Sequence, residues 1–210
     1  MFSLNLGLAG LVAANVIQDY NKITLSNESN GSTNIAYSGT TTTANSGHVV
    51  LSDFNEMVVK NLQGNIDLNN LKGVATTEGL DFYQQVAEGN GWLTTHGVKR
   101  TDLADLILAS DIICQPEDAF AAARSIASTL KFGGKAIVVH ADSKHRFGVE
   151  KLEEACGVVG SLTIASKRNM NDYLKDCSSI HTKDMDMEKT SGFVHGMSLT
   201  MYVIIKTGGK

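Results

Sequence analysis

His48-Val49-Val50-Leu51-Ser52-Asp53 and Leu103-Ala104-Asp105-Leu106-Ile107-Leu108-Ala109-Ser110-Asp111 are two apolar runs that each stop on an aspartate. A segment with helical spacing follows each one. Strands buried on both faces of a parallel sheet read as near-continuous Val/Ile/Leu runs, because neither face alternates toward water. In open α/β sheets ligands bind beyond the carboxyl ends of the strands. Asp53 and Asp111 would stand at two such ends, so the pair predicts a crevice with carboxylates on its rim.

Outward from these runs, helix and strand patterns alternate. Met57, Val58, Leu62 and Ile66 fall near helical spacing over residues 56–68, with Asn55 as the cap. Residues 74–80 read as a short strand and residues 88–100 as a polar loop that Trp92 anchors by its hydrophobic ring. An Ala-rich helix is predicted over 118–130, begun just after Pro116 and stopped by Gly133-Gly134. Residues 135–140 read as a third buried strand, 149–156 as a helix, 161–166 as a weak strand and 198–206 as a terminal strand. Strands alternating with helices argue for a parallel-rich α/β sheet with right-handed crossovers. Near the start, residues 8–17 read as a buried helix. Residues 26–47 are almost all Ser, Thr, Asn and Gly, too polar to join a core, and read as a flexible surface insertion.

The composition suits one domain over residues 1–210. With 210 residues, 42% of them hydrophobic and 19% charged, such a chain buries about 70% of its unfolded surface. A net charge of -4 gives no electrostatic footprint for nucleic acid or an anionic membrane. Cys114, Cys156 and Cys177 show neither metal spacing nor an even framework, so they are expected as buried, reduced thiols. His140, Asp142 and His145 lie close together, but no fourth ligand stands at a diagnostic spacing, and no metal is expected. No apolar run approaches the roughly 20 residues of a membrane span, and residues 1–14 show no charged stretch ahead of their apolar part. A soluble protein of the cytoplasm or nucleus is the expectation.

Several short elements in order then carry a family resemblance: Gly7-Leu8-Ala9-Gly10-Leu11-Val12-Ala13-Ala14, Val50-Leu51-Ser52-Asp53, Asn61-Leu62 with Asn65, Gly79-Leu80-Asp81-Phe82, Leu108-Ala109-Ser110-Asp111-Ile112-Ile113, and Gly133-Gly134-Lys135-Ala136. Together they resemble the seven-strand S-adenosylmethionine-dependent methyltransferases, and within them methyltransferase family 16, which contains many protein-lysine N-methyltransferases. The resemblance covers most of the chain apart from the polar insertion. It implies a Rossmann-like methyltransferase fold, a mostly parallel twisted sheet with helices on both faces.

The resemblance also assigns roles. Asp53 matches the acidic residue that accepts hydrogen bonds from both ribose hydroxyls of the cofactor, a task for a side chain that only accepts; an ordinary helix-capping aspartate is the alternative. Leu80-Asp81-Phe82 resembles a Leu-Asp-Trp element whose ring packs near the adenine, with Phe82 keeping the aromatic face; a plain core phenylalanine is the alternative. Asp111 resembles the start of an Asp-x-x-Tyr element beside the transferred methyl, where it would orient an acceptor amine, and Cys114 replaces the tyrosine. Ala109 and Ser110 would line the adenosine side. Gly7 and Gly10 would form the turn beside the methionine moiety, and with only residues 1–6 before them the family's first strand is short or missing: the expectation is a sequence truncated at its start, and the alternative is a shortened remnant of that strand over residues 2–6. Apart from the resemblance, Ser143-Lys144-His145-Arg146-Phe147 follows the third buried strand and is expected first as a solvated basic turn, with a segment over the crevice that helps select substrate as the alternative. The activity implied is S-adenosylmethionine-dependent methyl transfer to a protein lysine. The alternatives are a small-molecule methyltransferase and a catalytically impaired fold that binds another protein. A nicotinamide-dependent oxidoreductase fits less well, for lack of a G-x-G-x-x-G turn.

Overall fold

In the computed structural model, which describes residues 8–29, 47–86, 91–170 and 198–208, both aspartate-ended runs are strands. The chain enters through helix α1 (Leu8–Ser29), longer than the pattern over 8–17 predicts. A helix once nucleated propagates at little cost through Ser and Asn, so residues 26–29 join it instead of the expected surface insertion. Residues 30–46 of that insertion lie outside the described residues, as do residues 1–7, which hold the alternative of a shortened first strand over residues 2–6.

Strand β1 (Val49–Asp53) is buried at its first four residues. Helix α2 (Glu56–Leu68) starts where the Asn55 side chain accepts the N–H of Met57. Leu62 and Ile66, four residues apart, face inward, and Val58 joins them in part. Met57 points the other way and is 63% exposed. Strand β2 (Ala75–Gly79) runs parallel to β1, with Asp53 opposite Gly79.

The stretch expected as a loop instead holds a small antiparallel hairpin, β3 (Trp92–Leu93) with β4 (Lys99–Arg100). Two-residue strands carry no periodicity to read, and side chains hold this one together. Trp92 is buried, as its anchor reading required, and donates its indole N–H to the Asp102 carbonyl at 3.2 Å. The Gln85 amide bonds both the N–H and the C=O of Leu93 at 2.8 Å.

Strand β5 (Ala104–Ser110) leads into helix α3 (Pro116–Thr129), which carries proline in its first turn and a capping box between Gln115 and Asp118. Strand β6 (Leu130–Ala141) begins directly at the helix end, five residues earlier than expected. Gly133 and Gly134 therefore do not stop the helix. They sit inside β6, where Gly133 takes a φ of +76° and the register against β5 slips between Ala104 and Leu106. A short 3-10 turn, Val149–Lys151, opens into helix α4 (Leu152–Val159). Strands β7 (Leu162–Asn169) and β8 (Leu199–Lys206) complete a four-stranded sheet in the order β5-β6-β8-β7. β5 and β6 run parallel, and β8 is antiparallel to both its neighbours.

Two cores follow from this layout. Ile107, Ala136, Val138, Tyr202 and Ile204 bury one face of the sheet under the small residues of α3 and under Leu152 of α4, and Val50, Leu80 and Trp92 extend that core toward β1. Val49 and Leu51, the alternate residues of β1, pack instead with Ala14 of α1 and with Leu62 and Ile66 of α2. β1 is thus covered on both faces, as its unbroken apolar run requires. Among the described residues β1 and β5 each pair along one edge only, β1 with β2 and β5 with β6. No helix in the described residues is long and apolar enough to cross a membrane.

Candidate functional site

The carboxyl ends of β1 and β5 open on one cavity of about 480 Å³, and Asp53 and Asp111 both line it. Two further carboxylates, Asp81 and Asp118, stand in its wall. Leu80, Phe82 and Ile112 supply apolar surface, with Phe54, Tyr83 and Cys114 also lining it, and among the described residues no Lys or Arg does. Its volume falls within the roughly 300–1,000 Å³ of small-molecule sites.

Asp53 ends β1, and its Oδ1 accepts the N–H of Asn55 at 2.8 Å, which turns the chain into α2. The side chain thus closes a turn and lines the cavity, while the cap of α2 is Asn55 and not Asp53. Asp81 caps the 3-10 turn Phe82–Gln84 through the N–H of Tyr83 at 2.9 Å. That turn sets Phe82 against the wall, partly buried on the main core.

Tyr83 ties the turn to α3. Its hydroxyl donates to Asp118 Oδ1 at 2.5 Å and accepts from Gln115 Nε2 at 3.1 Å. The Asp118 Oδ2 takes the backbone N–H groups of Cys114 at 2.9 Å and Gln115 at 3.0 Å. Burial pushes the Asp118 carboxyl up, but the Tyr83 hydroxyl and those two N–H donors together outweigh it and hold it below the usual carboxylate range. The same bond holds the Tyr83 hydroxyl above its ordinary value, since the phenol proton is shared with an anion. Asp118 therefore stays ionised and fixes this side of the cavity.

Asp111 adopts a φ of +53°, a left-handed conformation uncommon outside glycine and better tolerated by Asp than by most residues. Its N–H donates to the Val139 carbonyl at 2.8 Å, so the strained residue is pinned to β6. Its carboxylate meets the Arg146 guanidinium fork to fork, Nε to Oδ1 at 2.6 Å and Nη2 to Oδ2. The segment expected first as a solvated basic turn thus reaches the rim of the crevice through Arg146. At the base of that loop Asp142 accepts from Lys144 N–H, His145 Nδ1 and both the N–H and the hydroxyl of Ser198.

Of the other expected site residues, Ala109 lines a narrow cleft of about 20 Å³ behind Phe82, sharing Leu80 and Ile112 with the larger cavity. Ser110 is half-buried at the end of β5 and is not among the lining residues of either. Gly10 is buried within the first turn of α1, away from those linings, and Gly7 lies outside the described residues. Cys156 is buried, as expected, and burial raises its thiol to about 11; Cys114 is exposed instead, because it sits in the turn between β5 and α3 and not in the core. Cys177 lies outside the described residues. Among the described residues no group of three or more His, Cys, Asp or Glu is arranged to hold a metal, and His145 turns to Asp142 instead. Phe54, Tyr83 and Asp118 escaped the sequence reading. The only trace Asp118 leaves there is as a helix-start residue.

No protein-family model and no curated protein matches the chain. Among solved structures, the chain is similar to geranyl diphosphate methyltransferase in complex with S-adenosylmethionine, with a TM-score of 0.48 at 7% identity over 77% of this chain and 70% of that one. It is also similar to the O-methyltransferase from a trans-AT PKS multienzyme of Brevibacillus brevis, in complex with S-adenosylhomocysteine, with a TM-score of 0.46 at 13% identity over 75% of this chain and 58% of that one. A methyltransferase from Pyrococcus furiosus gives a TM-score of 0.45 at 13% identity, covering 77% of this chain and 64% of that one.

Proposed function

We propose that the chain is an S-adenosylmethionine-dependent methyltransferase. One observation carries the reading: two strand-end aspartates, Asp53 and Asp111, share a single acidic cavity with an aromatic wall. The lining suits that cofactor group by group. The Asp53 carboxylate gives its Oδ1 to the Asn55 N–H, and its Oδ2 would accept from the vicinal hydroxyls of the ribose. Phe82 offers a ring to the adenine, a contact worth about 1 kcal/mol beyond area burial. With Asp111 covered by Arg146, the three remaining lining carboxylates, Asp53, Asp81 and Asp118, favour a positively charged ligand such as a sulfonium. At ~8 Å and an effective dielectric near 20, each full charge contributes about 2 kcal/mol before screening.

S-adenosylmethionine, when bound, supplies both the activated methyl group and its own leaving group. What remains for the protein is to hold an acceptor in line with the breaking bond and to keep bulk water out, which contributes several kcal/mol by orientation alone. Leu80 and Ile112 supply the apolar surface that excludes water. For a lysine acceptor the amine must be neutral before attack, and Asp111 would orient it. In the geometry described, both Asp111 oxygens are engaged by Arg146, so that role requires Arg146 to turn aside. This pairing favours the second reading, an acceptor on a small molecule whose nucleophile needs no carboxylate beside it.

Incubation with methyl-labelled S-adenosylmethionine and cell extract tests the activity and divides the two acceptor classes. Label in lysine side chains of protein supports the first, and label confined to the small-molecule fraction supports the second. Labelling of neither above an Asp53→Ala control would overturn the enzyme reading.

A further inference from the structure

Of the four carboxylates that line the cavity, Asp111 is the one with an ion-pair partner among the described residues. That partner is not a loose surface arginine. Its loop is fastened at one end where the Asp142 carbonyl accepts the N–H groups of His145 and Arg146, each at 2.9 Å, and where the Asp142 carboxylate grips Ser198. At the other end Gly148 takes a φ of +90° and lies so close to the start of α3 that a Cβ there would stand 2.3 Å from the Gln115 carbonyl carbon and 2.4 Å from the Pro116 nitrogen. Between these two anchors the loop presents one guanidinium, 43% exposed, to one lining carboxylate that is 25% exposed.

We propose that Arg146 sets how strongly the cavity prefers a cationic ligand over a neutral ligand of the same shape. By covering Asp111 it leaves Asp53, Asp81 and Asp118 as the uncompensated charges. The sulfonium donor and its thioether product differ by one positive charge and one methyl group, so a guanidinium on the rim narrows the gap between their affinities. The identity of that ligand pair rests on the methyl-donor reading; the sign of the electrostatic effect does not.

Cys114 offers a probe that needs no cofactor, because it is exposed and lines the same cavity. In a Cys177→Ser background, with Cys156 buried, the Cys114 thiol is reacted with trimethylammonioethyl and with sulfonatoethyl methanethiosulfonate. The ratio of cation to anion rates should rise about threefold or more in Arg146→Gln, stay within about twofold of the parent in Arg146→Lys, and fall in Asp111→Asn, where the guanidinium is left uncovered. A ratio that Arg146→Gln does not raise would overturn the inference. If that variant does not fold, an Asp111→Asn ratio that fails to fall does the same. Calorimetry then measures S-adenosylmethionine against S-adenosylhomocysteine, with the affinity ratio expected to shift several-fold toward the sulfonium in Arg146→Gln. Movement of the thiol ratio with neither compound binding would uphold the role of Arg146 and overturn the methyl-donor reading.

Discussion

Asp53 both closes a turn and faces the cavity, and the two tasks separate by substitution. In Asp53→Asn the amide oxygen still accepts the N–H of Asn55, while the charge and one acceptor toward the ligand are lost. Hydrogen bonds to charged groups contribute about 1.5–3 kcal/mol, so S-adenosylhomocysteine affinity should fall roughly tenfold or more by calorimetry with little change in melting temperature. Equal affinity in the variant would remove Asp53 from the site. Asp142 makes a different prediction. The His145 hydrogen bond holds its carboxyl far below the usual carboxylate range, with burial opposing and the Ser198 donors adding to it. A native carboxyl held below its unfolded value of about 3.9 stabilises fully above that pH, and the contribution is lost as pH falls toward the native value. Asp142→Asn should therefore lower the urea midpoint at pH ~7, and the gap to the parent should narrow below about pH 4. A gap that stays constant through that range would contradict the assignment. The residues readable in the sequence were those that end strands, Asp53 and Asp111, and the aromatic Phe82 just after β2. Tyr83 and Asp118 enter the site through folding, from a 3-10 turn and a helix start, and no spacing in the chain brings them together; Arg146 was legible only as one member of a basic run after a strand, not as the partner of Asp111.

Gly148 is where two elements meet most closely. Its left-handed φ and the backbone of Gln115 and Pro116 against it leave no room for a methyl group. Gly148→Ala should cost more than about 2 kcal/mol in urea unfolding, since both the conformation and the contact oppose it. A loss below about 0.5 kcal/mol would mean that the loop detaches from α3 at little cost. The elements whose bounds the sequence revealed are those with local chemistry to mark them. α2 begins at the Asn55 cap and its inward residues keep the spacing of four. The early start of β6 was hidden because Gly133-Gly134 reads equally as a helix stop and as a bulge, and only pairing with β5 decides. The β3–β4 hairpin was hidden because its strands are too short to show a period.

At the scale of the molecule, the alternation of helices and strands made the α/β class legible, and the two aspartate-ended runs placed a crevice where the strands finish. The order β5-β6-β8-β7 and the antiparallel direction of β8 were not legible, since apolar strands of similar composition do not name their neighbours. That arrangement sets α3 beside both β5 and the Phe82 turn, and so closes the cavity on which the functional reading stands. The measurement that tests the reading most directly is calorimetric titration of the protein with S-adenosylhomocysteine. The account predicts saturable binding of one equivalent with roughly micromolar affinity, abolished or strongly weakened by Asp53→Ala. An absence of binding at millimolar ligand, or binding that Asp53→Ala leaves untouched, would contradict it.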